Sequence, residues 1–167
     1  NRPHSITARV DVEDDAEGVL LSHGGLTGGY TFFIQDRRLH YVYNFVGERE
    51  FHIESGVEVP VGPSELRFEF EPTGAPDLAG GKGAPGRGRL FIDGELVAQS
   101  DIAATMPLVI SLGEGLTCGR DDNSAVSTMY RAPFAFRGGT LREVVVDVSG
   151  EHLHDEQAER KAAMARQ

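Results

Sequence analysis

The residues most able to do chemistry lie in the segment CGRDDNSAVS, at positions 118–127. It contains the chain's one cysteine, two adjacent aspartates and an asparagine between apolar runs. Carboxylate and amide oxygens are ligands that Ca²⁺ prefers, so Asp121 and Asn123 are candidate calcium ligands. The wider set of candidate binding residues in this loop is Arg120, Asp121, Asp122 and Asn123.

The spacing of these residues does not match a calcium loop of the EF-hand type. Counted from Asp121, the fifth and sixth positions are Ala125 and Val126, where that loop requires an oxygen ligand and a glycine. Two interpretations remain. Asp121 and Asn123 bind calcium together with distant carbonyl oxygens, or their side chains hydrogen-bond to their own backbone in a turn. The sequence favours the turn, with calcium as the alternative.

Other candidate chemistry is weaker. Cys118 would need a depressed pKa and a nearby histidine to act as a nucleophile, and its place at a strand end predicts a buried small side chain instead. The glycine-rich run at 23–30 precedes a strand, whereas a phosphate-binding loop precedes a helix. Glu13, Asp15 and Glu17 follow the first predicted strand and are interpreted as solvated turn charges. The sequence therefore predicts no catalytic residue.

Composition limits the class of partner. The chain has 167 residues, enough for one domain with a substantial core. Lys plus Arg is 16 against 26 for Asp plus Glu, a formal net charge of -10. This charge disfavours nucleic acid and anionic membranes, because phosphate binding needs a cationic surface. A single cysteine cannot form an intrachain disulfide, and no apolar run is long enough to predict a transmembrane helix.

An alternation of apolar and polar residues dominates the sequence. In SITARVDV (5–12) and LRFEFE (66–71) every second residue is apolar, the pattern of a half-buried strand. Further strands are predicted at 18–23, 30–35, 38–46, 49–54, 89–93, 95–99, 107–111 and 139–148. Short strands separated by Gly, Pro and Asp turns predict an all-β fold, a two-sheet antiparallel β-sandwich.

Three hairpins can be placed from their turn residues. QDRR at 35–38 is predicted to join two strands, and Asp93-Gly94 to join two others. Gly47-Glu48 fits a two-residue turn with glycine first. That turn would set Tyr43 opposite His52 on the neighbouring strand.

The remaining segments are predicted from composition and charge order. The segment at 72–88, rich in Gly and Pro, is predicted to be a long loop without strand pairing. Beyond it, the order of acidic and then basic residues after position 154 predicts a short C-terminal helix. The predicted organisation is a sandwich domain at 1–150 and a helical tail at 151–167.

Five segments, taken in order, carry a family resemblance. EGVLLSHGGLTGGYTFFIQDRRLHYVYNFVG, LRFEFE, GRLFIDGELVA, LTCGRDDNSAVSTMY and PFAFRGGTLREVVVDV together resemble the C-terminal β-sandwich of one group of bacterial arylsulfatases. The resemblance covers most of residues 1–148. It implies that the sandwich is a concanavalin A-like or laminin-G-like jelly roll.

The resemblance also implies a parent enzyme that hydrolyses sulfate esters. Its catalytic domain would precede this chain and carry a divalent cation, usually calcium, with a formylglycine made in a C/S-x-P-x-R motif. Around Cys118 the motif fails, because Arg120 and Asp122 stand at its proline and arginine positions. No catalytic residue is therefore carried over. The expected function is a non-catalytic accessory domain, part of a longer polypeptide, that packs on its own catalytic domain or on a partner subunit.

Two alternatives come from other functional classes. The first is a lectin-like carbohydrate-binding module that uses the sheet or the loop at 119–127. The second is a structural domain that forms a homo-oligomer. Most aromatic residues fall in predicted strands and are expected in the core, and the chain has no tryptophan for stacking on sugars.

Overall fold

A computed structural model describes residues 2–107 and 114–150, and these residues form strands and no helix. The strands are β1 (His4–Gly25), β2 (Gly28–Gln35), β3 (Arg38–Phe45), β4 (Arg49–Glu58), β5 (Gly62–Pro72), β6 (Gly86–Ile92), β7 (Glu95–Ile102), β8 (Leu116–Cys118) and β9 (Arg137–Asp147). The all-β prediction is confirmed. Most of the predicted strand at 107–111 and the predicted helical tail at 151–167 lie outside the described residues. Within the described part, no helix could span a membrane.

Two antiparallel sheets share the long strand β1. Its first part, to Val12, pairs with β5 on one side and β9 on the other. Its last part, from Gly18, pairs with β2 and β8. Sheet A therefore has the order β9-β1-β5-β6-β7, and sheet B has the order β8-β1-β2-β3-β4. β4 packs against β7 across the sandwich.

The acidic residues predicted to form a turn lie inside β1 instead. They occupy the corner where the strand leaves sheet A and enters sheet B. Glu13 and Asp15 are exposed, as expected, whereas Glu17 is half-buried and pairs with Arg137. The turn prediction was wrong because strand pairing continues on either side of the corner, so the backbone stays extended through it.

The core lies between the two sheets and follows the predicted alternation. Ile6, Ala8 and Val10 point inward from β1 and are buried. Across the sandwich, Tyr41 of β3 stacks on Phe68 of β5, with ring centroids 3.5 Å apart. Full burial of one such large apolar side chain stabilises a fold by roughly 1.5–3 kcal/mol. Alternate residues of sheet B are thereby directed to its outer face.

Two of the three predicted turns are confirmed. Asp36 and Arg37 have φ values of 50° and 61°, and Asp93 and Gly94 have values of 50° and 84°. Both central residues of a two-residue hairpin turn need positive φ when the turn is of type I′. The twist of that turn matches the twist of the strands, which fixes both hairpins in register.

The third turn differs from its prediction by one residue. It contains Val46, Gly47 and Glu48, because Phe45 pairs with Arg49. Tyr43 therefore pairs with Phe51 rather than with His52. Val46 takes a left-handed φ of 51°, which a β-branched residue rarely adopts, so the longer turn had no clear sequence signal.

The predicted loop at 72–88 is shorter than expected. Pro72 ends β5 and pairs with Gly86, which begins β6, so residues 86–88 belong to a strand. The glycines there do not break the strand. A Cβ atom at Gly86 would overlap the ring of Phe70, and one at Gly88 would overlap Ile53. Close packing against the core requires glycine at these places.

Candidate functional site

One end of sheet B gathers three chain segments around a buried amide. Asn44, 2% exposed, lies near the end of β3. Its Nδ2 donates to the carbonyl oxygens of Val126 at 2.8 Å and Leu26 at 3.2 Å, with Gly25 at 3.5 Å. Its Oδ1 accepts from the Gly47 N–H at 2.8 Å. We call this region, comprising residues 24–29, 44–48 and 114–127, the loop end.

A second set of hydrogen bonds fixes the same end from the side of β8. The Ser124 hydroxyl accepts from the Leu26 N–H at 3.1 Å and donates to a Glu114 carboxylate oxygen at 2.6 Å. The hairpin between β1 and β2 is tight here, and a Cβ on Gly29 would overlap the His23 carbonyl oxygen. The glycines of the run at 23–30 therefore permit the two strand backbones to approach closely.

Asp121 holds the loop at 119–127 onto the sheet. Its side chain is 2% exposed, and Oδ2 accepts from the Tyr130 hydroxyl at 2.5 Å and from the Val126 N–H at 3.1 Å. Tyr130 also lies 3.0 Å from the Thr31 hydroxyl. A phenol has one proton, so Thr31 donates to Tyr130 while Tyr130 donates to Asp121. This network joins the loop to β2.

Burial governs the protonation of this pair. It raises the pKa of Asp121 above its ordinary value, and the hydrogen bonds from Tyr130 and Val126 offset part of that effect. Burial, and then the hydrogen bond to Asp121, raise the pKa of Tyr130 far above its ordinary range. The phenol therefore keeps its proton and serves as the donor.

The structure separates the four predicted binding residues. Asp121 faces the interior, whereas Arg120, Asp122 and Asn123 are exposed on the loop. Arg120 and Asp122 pair with each other, with 2.7 Å between Nε and Oδ2. Calcium binding by Asp121 and Asn123 stays a prediction, as does ligand binding by the set.

Cys118 is exposed rather than buried. The prediction was wrong because β8 is a three-residue edge strand that pairs only through Leu21, Ser22 and His23 of β1 among the described residues. Partial desolvation raises the pKa of the Cys118 thiol. A raised pKa reduces the thiolate fraction, so this thiol lacks the activation that nucleophilic cysteines have.

Apolar side chains are exposed on the hydrogen-bonded turns of the loop end. Leu26 is 63% exposed and Val46 is 40% exposed. Their turns touch, because Gly47 lies against the backbone of Leu26 and Thr27. Leu116 of β8, next to the same hairpin, is 54% exposed. The loop end therefore combines a backbone held by several hydrogen bonds with accessible apolar side chains.

A histidine and carboxylate cluster lies elsewhere on sheet B. The side chains of His40, His52 and Glu54 bring one ligand atom each within 4.8 Å of one another, the one such group in the described part of the chain. The sequence did not predict this cluster, because the expected Gly47-Glu48 turn would place His40 opposite Ser55, whereas the structure pairs His40 with Glu54. The alternation of β4 did carry a signal, because His52 and Glu54 share one face.

Comparison with known proteins supports the fold. The sequence matches no protein-family model and no curated protein. Among solved structures, it is similar to domains LG4-5 of the mouse laminin α1 chain, with a TM-score of 0.61 and 11% identity over 89% of this chain and 36% of that one. The fold is a laminin-G-like jelly roll. This confirms the sandwich and jelly-roll expectation.

Two further solved structures support the same fold. The receptor-binding domain of botulinum neurotoxin D matches with a TM-score of 0.55 and 9% identity, over 99% of this chain and 37% of that one. A pentraxin from Limulus polyphemus matches with a TM-score of 0.50 and 12% identity, over 96% of this chain and 70% of that one. This laminin-G-like chain spans about a third of the laminin and neurotoxin chains. None of these similarities links it to a sulfatase.

Proposed function

We propose that the chain is a non-catalytic accessory domain that docks onto a protein partner through its loop end. The observation that carries this proposal is the buried amide of Asn44, which holds the turns bearing Leu26 and Val46 in fixed positions. Adjacent exposed apolar side chains are typical of protein contact sites, and the turns that bear Leu26 and Val46 touch each other. The net charge of -10 is consistent with a protein partner rather than a nucleic acid.

Rigidity matters to this proposal because ordering a loop opposes binding. Immobilising a flexible side chain at an interface costs roughly 0.5–1.5 kcal/mol. In this proposal the backbone of the loop end is ordered before contact. Binding then spends less free energy on ordering the loop and keeps more of the free energy of apolar burial. Full burial of a leucine contributes roughly 1.5–3 kcal/mol. Leu26 is therefore the side chain with most to contribute.

The sequence resemblance supplies the identity of the partner in this proposal. It favours the catalytic domain of an arylsulfatase, encoded before this chain on the same polypeptide. Sequencing the preceding coding region tests this directly, since a C/S-x-P-x-R motif is expected there. A preceding region that encodes no sulfatase would remove this partner while leaving the docking surface itself open to test.

The docking surface is tested by Leu26→Asp. We expect this change to weaken binding to the separately expressed preceding region by at least about tenfold, because it places a charge in the apolar contact. Leu96→Asp is the matched control, since Leu96 is 52% exposed on β7, away from the loop end. Isothermal titration calorimetry measures both. Equal weakening by the two variants, or by neither, would contradict the proposed surface.

A lectin-like module is the second candidate. It is favoured by the exposed polar side chains of Arg120 and Asn123 on a loop that Asp121 anchors. If it is correct, a glycan array should show binding that Asn123→Ala reduces and that a chelator removes when calcium is involved. Gln99→Ala, an exposed change on β7, is the control. An array without signal for the unaltered chain would count against this candidate.

Self-association through the loop end is the remaining alternative. Light scattering of the chain distinguishes it, because a dimer would have twice the mass of one chain. Leu26→Asp should return such a dimer to the monomer mass, whereas Leu96→Asp should not. A monomer mass for the unaltered chain would leave the protein partner as the occupant of the surface.

A further inference from the structure

The outer face of β3 and β4 carries metal-ligand chemistry that docking does not use. His40 pairs directly with Glu54 across the two strands, and His52 lies two residues before Glu54 on the same face. The cluster is displaced from the loop end toward the other end of both strands. We infer that His40 Nδ1, His52 Nε2 and a Glu54 carboxylate oxygen bind one Zn²⁺ ion, with a further position open to solvent.

His40 is prepared for this role by its surroundings. The ring is 3% exposed and stacks on Phe33, with centroids 4.9 Å apart. Its Nε2 lies 3.1 Å from the Gln35 carbonyl oxygen, which can only accept, so Nε2 carries the proton. The lone pair of Nδ1 is then directed at His52. Zinc-bound histidines commonly donate their second N–H to a carbonyl in this way.

The nitrogen atoms already lie near the spacing that zinc requires. His40 Nδ1 and His52 Nε2 are 3.0 Å apart, and the rings are inclined by 12°. Two nitrogens bound to tetrahedral zinc at about 2.0–2.1 Å are roughly 3.4 Å apart. Zinc binding therefore requires the two nitrogens to move apart by a few tenths of an ångström. His52 must also move its proton to Nδ1, which leaves its charge unchanged.

Glu54 can supply the third ligand with little loss of folding free energy from its ion pair with Arg38. Its Oε1 lies 3.4 Å from Arg38 Nε, and both side chains are more than a third exposed, at 45% and 37%. An exposed ion pair of this kind contributes only about 0–1 kcal/mol. Two imidazoles and one carboxylate suit zinc and similar transition-metal ions better than calcium, which prefers oxygen ligands.

A zinc titration of the chelator-treated 167-residue chain tests this site. We expect one Zn²⁺ per chain, and affinity at least about tenfold lower for both His52→Ala and Glu54→Gln. Both changed side chains are exposed, so the variants should fold, and circular dichroism verifies this. The visible absorption of bound Co²⁺ gives a second readout, because it reports a low-symmetry site with nitrogen ligands. This test involves no protein partner, so it stands apart from the docking proposal.

A matched control separates this cluster from other zinc-binding side chains. The triple change C118S/H152A/H154A removes the exposed thiol and two histidines outside the described residues. We expect it to leave zinc affinity and stoichiometry unchanged. Loss of binding in the triple variant, or unchanged affinity in His52→Ala and Glu54→Gln, would overturn the assignment. Absence of zinc binding by the unaltered chain would also overturn it.

Discussion

Asn44→Asp is expected to destabilise the domain by about 3–5 kcal/mol, the range for an uncompensated buried charge. The change keeps the shape of the side chain but replaces its donor group with an oxygen. That oxygen would face the carbonyl oxygens of Val126 and Leu26, which now accept from Nδ2. Repulsion among buried oxygens opposes folding, and only the bond from the Gly47 N–H survives.

Urea denaturation measures this effect. The variant should unfold at a lower urea concentration, with a similar slope of unfolding free energy against urea concentration. Asn123→Asp is the matched control, since it makes the same chemical change on the exposed side of the loop end. Exposed substitutions usually change stability by no more than about 0.5 kcal/mol. If the two variants were equally stable, the amide of Asn44 would not be what holds the three segments together.

Asp121→Ala is expected to cost about 2–4 kcal/mol of folding free energy. It leaves the Tyr130 hydroxyl and the Val126 N–H without their acceptor, and each buried unsatisfied donor costs roughly 1–3 kcal/mol. Asp122→Ala is the control, because its side chain is exposed and pairs only with Arg120 in the described structure. A double-mutant cycle with Tyr130→Phe should give a coupling energy well above zero. Additive losses would contradict the network.

The pH dependence of stability gives an independent check on Asp121. Burial raises its folded pKa above the ordinary value of 3.8, so the folded chain binds this proton more tightly than the unfolded chain. The stability that this bound proton contributes is therefore full below 3.8 and is lost as the pH rises through the folded pKa, whereas the hydrogen bonds from Tyr130 and Val126 remain. Asp121→Asn removes this contribution. As the pH rises through that window, the unfolding free energy of the unaltered chain should fall relative to that of Asp121→Asn.

The sequence predicted the sandwich well because a half-buried strand needs alternation. Ile6, Ala8 and Val10 had to share a face, and the structure buries all of them. The Asp36-Arg37 and Asp93-Gly94 turns were also predictable, since short loops between alternating runs favour hairpins. These features depend on neighbours in the chain, which the sequence displays directly.

The histidine cluster and the loop end were less predictable, because both depend on contacts between residues far apart in the chain. The turn at Val46 has one residue more than expected, so the pairing of β3 with β4 shifts by one residue. Such a shift exchanges the two faces of a strand, and it brings His52 and Glu54 to the face that carries His40. Likewise, adjacent Asp121 and Asp122 look alike in sequence. Only Tyr130 and Val126, brought together by the fold, direct one inward and leave the other in solvent.

Hydrogen–deuterium exchange tests the docking proposal most directly. It would be measured on the chain alone and on the chain joined to the proposed catalytic domain. We predict slower amide exchange in the joined protein at Leu26–Thr27 and Val46–Glu48, with β7 unchanged. Unchanged exchange at both turns, with protection on sheet A instead, would show that the loop end is not the contact surface.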